Sequence, residues 1–423
     1  MTPSSKFGRE KLAKEQPLVL VLGGGNALGS YLAGAYEHLL QQAIDPQWIV
    51  GGSIGAVTGA IIAGNAPEDR LPRLKAFWDE AMIRSPGLLG RGSKIRHTYN
   101  ELHTITALLF GRPGLFGHRY PGMLSMLPWM PDDVALYDHT PLRRTLERLV
   151  DFDRLNRGGI RLTVGCVDLE SGDDVLFDTT RDTLTPEHFL ASSAITPIFP
   201  PIEIDGRLLC DPGYTNNLPL DVPFAEPMNQ DFTCIAVELF SLQASRPGSL
   251  DSTAERANDL IFASPTRRTL KALEREFALR DRWEPDGPTA TLLHLAYYAG
   301  SDERAGKAFD YSPSSIHDRW AAGKRDMERV WRSWMMRPEP GAASATWPWI
   351  RSRKLYRQNS ELRRKLPRDQ GPPANDPTTA MVSSSRLTRP SMVIISASVD
   401  LTRRPCCPAS DWRLSSATMA SRT

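Results

Sequence analysis

The chain has 423 residues, 41% of them hydrophobic and 24% charged, which places it among globular proteins rather than disordered or fibrous ones. No apolar stretch reaches the roughly 18 residues that a membrane-spanning helix requires. The net charge of +2 hides an asymmetry: residues 338–423 carry 14 Lys+Arg against 6 Asp+Glu, net +8, so the chain before them is net −6.

Residues 1–16 are polar and charged, without the apolar core of a secretory signal, and read as a flexible leader. The expected location is the cytoplasm, peripheral at the inner face of the membrane. Pro17 to Leu22 form a β-branched, apolar strand, followed by the loop Gly23-Gly24-Gly25-Asn26-Ala27-Leu28-Gly29. Tyr31, Ala35, Leu39 and Leu40 then fall at helical spacing. Trp48-Ile49-Val50 is a second strand, so the start of the chain is a βαβ unit, expected to be parallel and right-handed.

That second strand runs into Gly51-Gly52-Ser53-Ile54-Gly55, a G-x-S-x-G pentapeptide, and a small-residue helical run from Ala56 to Gly64 leads out of it. Strand, tight turn and helix is the context of a nucleophile elbow, in which a strained turn holds a serine Oγ in the open. Gly51 and Gly55 are the small residues that let helix and strand approach. A further helix covers Arg70–Met82.

Residues 84–140 are rich in Gly, Pro, Leu, Phe, Trp and Met, with poor periodicity. Two readings compete: an insertion packed on the body, or an apolar cap over a site that dips into lipid. Regular structure resumes with an amphipathic helix at Pro141–Val150, Thr140 being its expected N-cap. Hairpins are expected around Ser171-Gly172 and around Asp205-Gly206, with a short helix at Pro186–Ser193 between them. Phe232–Phe240 reads as a buried strand. Ala254–Leu279, Pro288–Ala299 and Ser314–Trp334 read as helices, so residues 241–337 form a helical extension. Residues 338–423 read as a mostly disordered, basic tail in which only Met392–Ser396 has strand character. Such a tail could touch anionic lipid. Of the five cysteines, Cys166, Cys210 and Cys234 lie in apolar runs and read as buried thiols, while Cys406 and Cys407 lie in the tail. No Cys or His spacing suits a metal, so no metal or cofactor is expected.

A serine nucleophile needs a proton acceptor and donors for a developing oxyanion. The backbone amides of the 23–29 loop, between a strand end and a helix start, suit the second task. The loop lacks G-x-G-x-x-G in register and has no Walker lysine, which argues against a nucleotide site. For the first task the chain offers Asp211, delivered by a hairpin strand to the turn Pro212-Gly213-Tyr214-Thr215-Asn216-Asn217-Leu218-Pro219. An Asx-turn, in which the carboxylate only caps its own loop, fits that sequence equally well. His294, in an apolar run, and His317, on a charged helix, follow Asp211 in the order of a Ser–acid–His triad. A core role and an exposed role, respectively, suit them better. Asp168 reads as structural.

Three blocks occur in order: the Gly-rich loop Gly24–Gly29, the elbow Gly51–Gly55, and the Asp211 turn with Asn217 and Pro219. The run Ala191 to Pro201 (ASSAITPIFPP) precedes the third. Together they resemble the bacterial patatin-like phospholipases over about residues 17–240. Tyr311-Ser312-Pro313-Ser314 and Trp320-Ala321-Ala322-Gly323 resemble a C-terminal extension found in one subgroup. The resemblance implies a three-layer α/β/α fold with a mostly parallel sheet. It also implies a histidine-free dyad of Ser53 as nucleophile and Asp211 as base, and an oxyanion hole at Gly24, Gly25 and Asn26. The implied activity is hydrolysis of lipid acyl esters, of the phospholipase A or lysophospholipase type, through an acyl-enzyme. A lipid or phospholipid is the partner, with peripheral membrane contact through 84–140 or the tail and no nucleic acid. The alternative is a silent relative that binds lipid or a protein partner. Two positions depart from the family pattern. Asn26 replaces a third glycine, and asparagine tolerates positive φ. Pro212 replaces the glycine after the aspartate, which would displace Asp211 if a donor or a positive φ were needed there.

Overall fold

The computed structural model describes residues 16–82, 94–244, 246–299, 306–336 and 392–397. The expected leader up to residue 15, the start of the expected cap, and the expected tail apart from 392–397 (Cys406 and Cys407 included) lie outside the described residues. Among the described residues nine strands form one sheet. They are β1 (Leu18–Leu22), β2 (Trp48–Gly52), β3 (Arg161–Asp168), β4 (Asp174–Asp178), β5 (Ile202–Ile204), β6 (Arg207–Cys210), β7 (Phe232–Glu238), β8 (Ala290–Ala296) and β9 (Met392–Ala397). Their order is β9-β8-β7-β1-β2-β3-β6-β5, with β4 pairing β3. The run from β9 to β3 is parallel throughout, and β4, β5 and β6 are antiparallel additions.

The principal helices are α1 (Ser30–Gln41), α2 (Ile54–Ala63), α3 (Pro67–Ala81), α4 (Lys94–Phe110), α5 (Thr140–Leu149), α6 (Pro186–Ser192), α7 (Leu250–Trp283) and α8 (Pro313–Met335). They lie in layers on the two faces of the sheet. Along β1 successive side chains point to opposite faces. Leu18, Leu20 and Leu22 join the core formed with α1, α2 and α8. Val19 and Val21 join a second core with Leu273 and Phe277 of α7. The arrangement is α/β/α, as expected. Every residue of α2 is buried, which is why its sequence is apolar on all sides rather than amphipathic.

Both hairpins form where the Ser171-Gly172 and Asp205-Gly206 turns place them. The helix expected from Pro141 starts at Thr140, one residue early, and its N-cap is His139. The expectation of a helix at Pro288–Ala299 is wrong. Residues 290–296 are β8, parallel to β7 in the register Leu292↔Cys234. A strand buried on both faces shows a continuous apolar run rather than alternation, and such a run does not distinguish strand from helix by period. Met392–Ala397 pairs with β8 in turn, in parallel. The sheet thus continues past residue 240 into the C-terminal part of the chain.

In the 84–140 region, α4 is followed by a two-stranded ribbon of Gly117–His118 and Tyr137–Asp138. Its periodicity is poor because apolar residues occupy both sides. Ala107 is buried, while Leu102, Ile105 and Leu109 are exposed at helical spacing. Tyr120, Met126 and Trp129 are also exposed, Trp129 at 92%.

Helices α1 and α8 cross in backbone contact. A Cβ on Gly34 would lie 1.9 Å from the Trp320 carbonyl oxygen, and one on Gly323 would lie 2.0 Å from that of Tyr31. Around the crossing, the Tyr31 hydroxyl donates to Asp326 at 3.0 Å and Lys324 pairs with Glu37 at 2.8 Å.

Candidate active site

Parallel pairing of β1 with β2 sets Leu22 opposite Gly51, so the loops leaving both strands emerge side by side at their carboxyl ends. That end of an open α/β sheet is where ligand crevices form. Ser53 occupies the turn between β2 and α2 at φ 55° and ψ −130°, the left-handed, strained conformation of a nucleophile elbow. Gly55 is required by contact, since a Cβ there would lie 2.2 Å from the Leu22 carbonyl oxygen. The Ser53 amide donates to Ser192 Oγ at 3.0 Å, and that hydroxyl donates to the Gly165 carbonyl at 2.6 Å. Ser192 is therefore a strut under the elbow. In sequence it was visible only as one letter of the ASSA run.

Asp211 follows β6, which pairs with the end of β3, and its own amide donates to the Ala194 carbonyl at 3.1 Å. Its carboxylate is buried, lines the same cavity as Ser53, whose hydroxyl favours its ionised form, and accepts the Gly213 amide at 2.7 Å. The Asx-turn thus coexists with a place beside Ser53 in the cavity wall. Burial pushes the carboxyl up to about 7, against the opposing pull of Ser53 and Gly213. Pro212 does not displace Asp211. Its φ of −75° is natural for proline, the donor needed comes from Gly213, and the ring packs against Gly52.

In the Gly-rich loop, Asn26 has φ 53°, as its residue type permits. Its side-chain oxygen accepts the Tyr311 hydroxyl. The Gly24 amide donates to the Asn217 carbonyl at 3.0 Å, and Asn217 Nδ2 returns a bond to the Gly24 carbonyl at 3.3 Å. Of the three amides expected to face an oxyanion, Gly24 is engaged. The amides of Gly25 and Asn26 donate to no group among the described residues.

Gly25, Asn26, Ser53, Asp211 and Asn217 line one cavity of about 230 Å³. Much of its wall is apolar, from Leu115 and Phe116 after α4, Leu142 of α5, and Ile195, Ile198 and Phe199. At another part of the wall Lys307 is paired with Asp259 at 2.6 Å and Glu255 at 3.2 Å. His139 also lines the cavity, a residue that sequence reasoning passed over because it precedes the Thr140-Pro141 helix start. It stacks on Phe199 with ring centroids 4.3 Å apart, and burial pushes its pKa down to about 3, so it is neutral at pH 7.

The other sequence candidates fall outside the cavity lining. His294 sits in β8 and bonds Glu238 at 3.1 Å. His317 is exposed on α8, and Asp168 accepts the amides of Glu170 and Ser171 in its own turn. Cys166, Cys210 and Cys234 are buried free thiols. Among the described residues no group of His, Cys, Asp or Glu is placed to hold a metal ion, and no helix is long and apolar enough to cross a membrane.

Residues 20–224 match the profile described as "Patatin-like phospholipase", and residues 263–341 match a second one described as "Patatin phospholipase". No curated protein matches the chain. Several solved structures align with it, two of them as follows. One is VipD from Legionella pneumophila, at 14% identity and TM-score 0.38, covering 76% of this chain and 67% of that one. The other is the type III effector protein ExoU, at 13% identity and TM-score 0.32, covering 77% of this chain. The chain spans 55% of the ExoU chain's length. On the two profile matches, this chain belongs to the patatin-like phospholipase family and carries a separate C-terminal module recognised with it.

Proposed function

We propose that the protein is a lipid acyl hydrolase of the phospholipase A or lysophospholipase type, acting through Ser53 and Asp211. Family membership supports hydrolase activity of the esterase type in general. The observation that carries the finer reading is the strained turn that presents Ser53 to an apolar cavity also lined by the buried Asp211.

In this reading Ser53 Oγ attacks the ester carbonyl and its proton passes to Asp211. A carboxyl poised near 7 is a far better base at neutral pH than one at its ordinary value. The amides of Gly25 and Asn26 receive the oxyanion. Collapse expels the alcohol, which takes the proton back from Asp211. Water then attacks the acyl-enzyme and gives its proton to Asp211, which passes it to Ser53 Oγ as the acyl–oxygen bond breaks and the fatty acid leaves. The apolar wall suits an acyl chain, and the exposed apolar residues between 102 and 134 suit peripheral contact with a lipid surface.

The test is covalent labelling by a fluorophosphonate probe, with product analysis on defined phospholipids. Native protein is expected to label at Ser53 and release fatty acid, and Ser53→Ala to do neither. Native protein that binds lipid but neither labels nor releases fatty acid would overturn the hydrolase and leave a lipid-binding relative. Retention of full turnover by Asp211→Asn would remove Asp211 as the base.

A further inference from the structure

The second matched module, residues 263–341, reaches the Gly-rich loop with two side chains from the start of α8 and the segment before it. Tyr311 is fully buried, and its hydroxyl donates to the Asn26 side-chain oxygen. Arg319 is also fully buried. Its Nη1 donates to the Ala27 carbonyl at 3.3 Å and to the Asp310 carbonyl at 2.9 Å, and its Nη2 to the Lys307 carbonyl at 3.1 Å. The Asp310 carboxylate lies 3.8 Å from Arg319 and bonds Ser315, fixing the guanidinium from the other side. The loop is thus held at Asn26 and Ala27 by groups contributed almost 300 residues later.

Asn26 is where the hold matters. It adopts positive φ, which asparagine tolerates but which costs it more than glycine. Its amide is one of the two that donate to no group among the described residues, and Asn26 lines the cavity with Ser53. A side chain at this position is also the departure from a third glycine, and it needs somewhere to go. Tyr311 supplies the place. Burial raises the Tyr311 phenol above its ordinary range, so it stays protonated and remains a donor throughout the working pH range.

We propose that Tyr311 is a positioning residue: the C-terminal module uses it to hold the Asn26 side chain, and with it the open amides of Gly25 and Asn26, in the geometry that receives the oxyanion. The proposal rests on the acyl-hydrolase reading for its catalytic consequence, and the structural half stands without it. The module is then part of the active site's frame, and the asparagine and the tyrosine function as a pair that a glycine at 26 would make unnecessary.

The test is Tyr311→Phe, which removes one hydroxyl and preserves the ring, combined with Asn26→Gly in a double-mutant cycle. Hydrogen–deuterium exchange over residues 23–29 is read alongside kcat and KM on a soluble short-chain ester. Tyr311→Phe is expected to speed exchange in the loop and to lower kcat by about tenfold to a hundredfold at nearly constant KM, since small misplacement at a reacting centre costs about that much. In the Asn26→Gly background the same change is expected to alter kcat by less than about twofold, because the pair acts as one unit. Unchanged exchange overturns the brace. Faster exchange with unchanged kcat, or an equal loss of kcat in the Asn26→Gly background, overturns the positioning role. If wild-type protein neither labels at Ser53 nor turns over ester, the hydrolase reading fails and with it the catalytic half, while the exchange rates still decide the brace.

Discussion

Asp211 combines two demands that pull against each other. As the proposed base it must be ionised at working pH, yet it is buried in the cavity wall it shares with Ser53. The compromise is a carboxyl near 7, and two outcomes follow. Activity is expected to rise with pH through about 7 and then level off, as a single ionisation that is read from kcat/KM between pH 5 and 9. His139, with its pKa near 3, contributes no step in that range. The second outcome concerns stability. The folded-state pKa lies above the unfolded one, so between about pH 4 and 7 the folded form binds a proton that the unfolded form does not. Stability therefore falls as pH rises through that window and is flat above it. Asp211→Asn removes the buried charge and is expected to raise stability at pH 8, by up to about 4 kcal/mol, with no gain at pH 4. Denaturant melts at both pH values check it. At this scale the sequence was informative where chemistry demands a particular residue type: Ser53 between its glycines, Asp211 at a strand end, Asn26 at positive φ. It was silent on the roles of Ser192, His139 and Tyr311, because their partners lie 139, 60 and 285 residues away and a contact between distant residues leaves no local pattern.

Helices α1 and α8 illustrate what elements reveal and conceal. Each was readable from its spacing, but their contact was not, since Gly34 and Gly323 have no local reason to be glycine. Their reason is the carbonyl oxygen about 2 Å from where a Cβ would be. Gly323→Ala is expected to cost about 3 kcal/mol or more, as overpacking against rigid backbone. Gly248→Ala, where a Cβ would meet nothing within 4 Å, is the control and is expected to stay within about 0.5 kcal/mol. Thermal melts of both check it. The β8 strand failed for the opposite reason. Its apolar run is explicit, yet burial on both faces by other parts of the chain erases the alternation that marks a strand.

For the whole molecule, the parallel sheet and its flanking helices followed from strand and helix alternating along the first 70 residues, since a parallel connection admits few topologies. The extension of the sheet by β8 and β9 depends on pairings between remote segments and had no such signature. The exposed apolar face of residues 102–134 is a property of the assembled surface, and its use can be tested there. Met126→Glu with Trp129→Glu is expected to weaken binding to vesicles of phosphatidylcholine and phosphatidylglycerol by about tenfold or more, with thermal stability unchanged, because both side chains are exposed. Co-sedimentation checks it, and equal binding by the variant would assign the face another use.

The reciprocal pair between Gly24 and Asn217 ties the turn that carries Asp211 to the loop that carries the open amides. On the proposed assignment, proton acceptor and oxyanion donors are mounted on one mechanical part, and Ser53 is mounted on the elbow beside it. A shift of that part removes both kinds of assistance together. Damage at either end would then be all-or-none rather than graded, so losses from a loop variant and a turn variant would fall short of their sum.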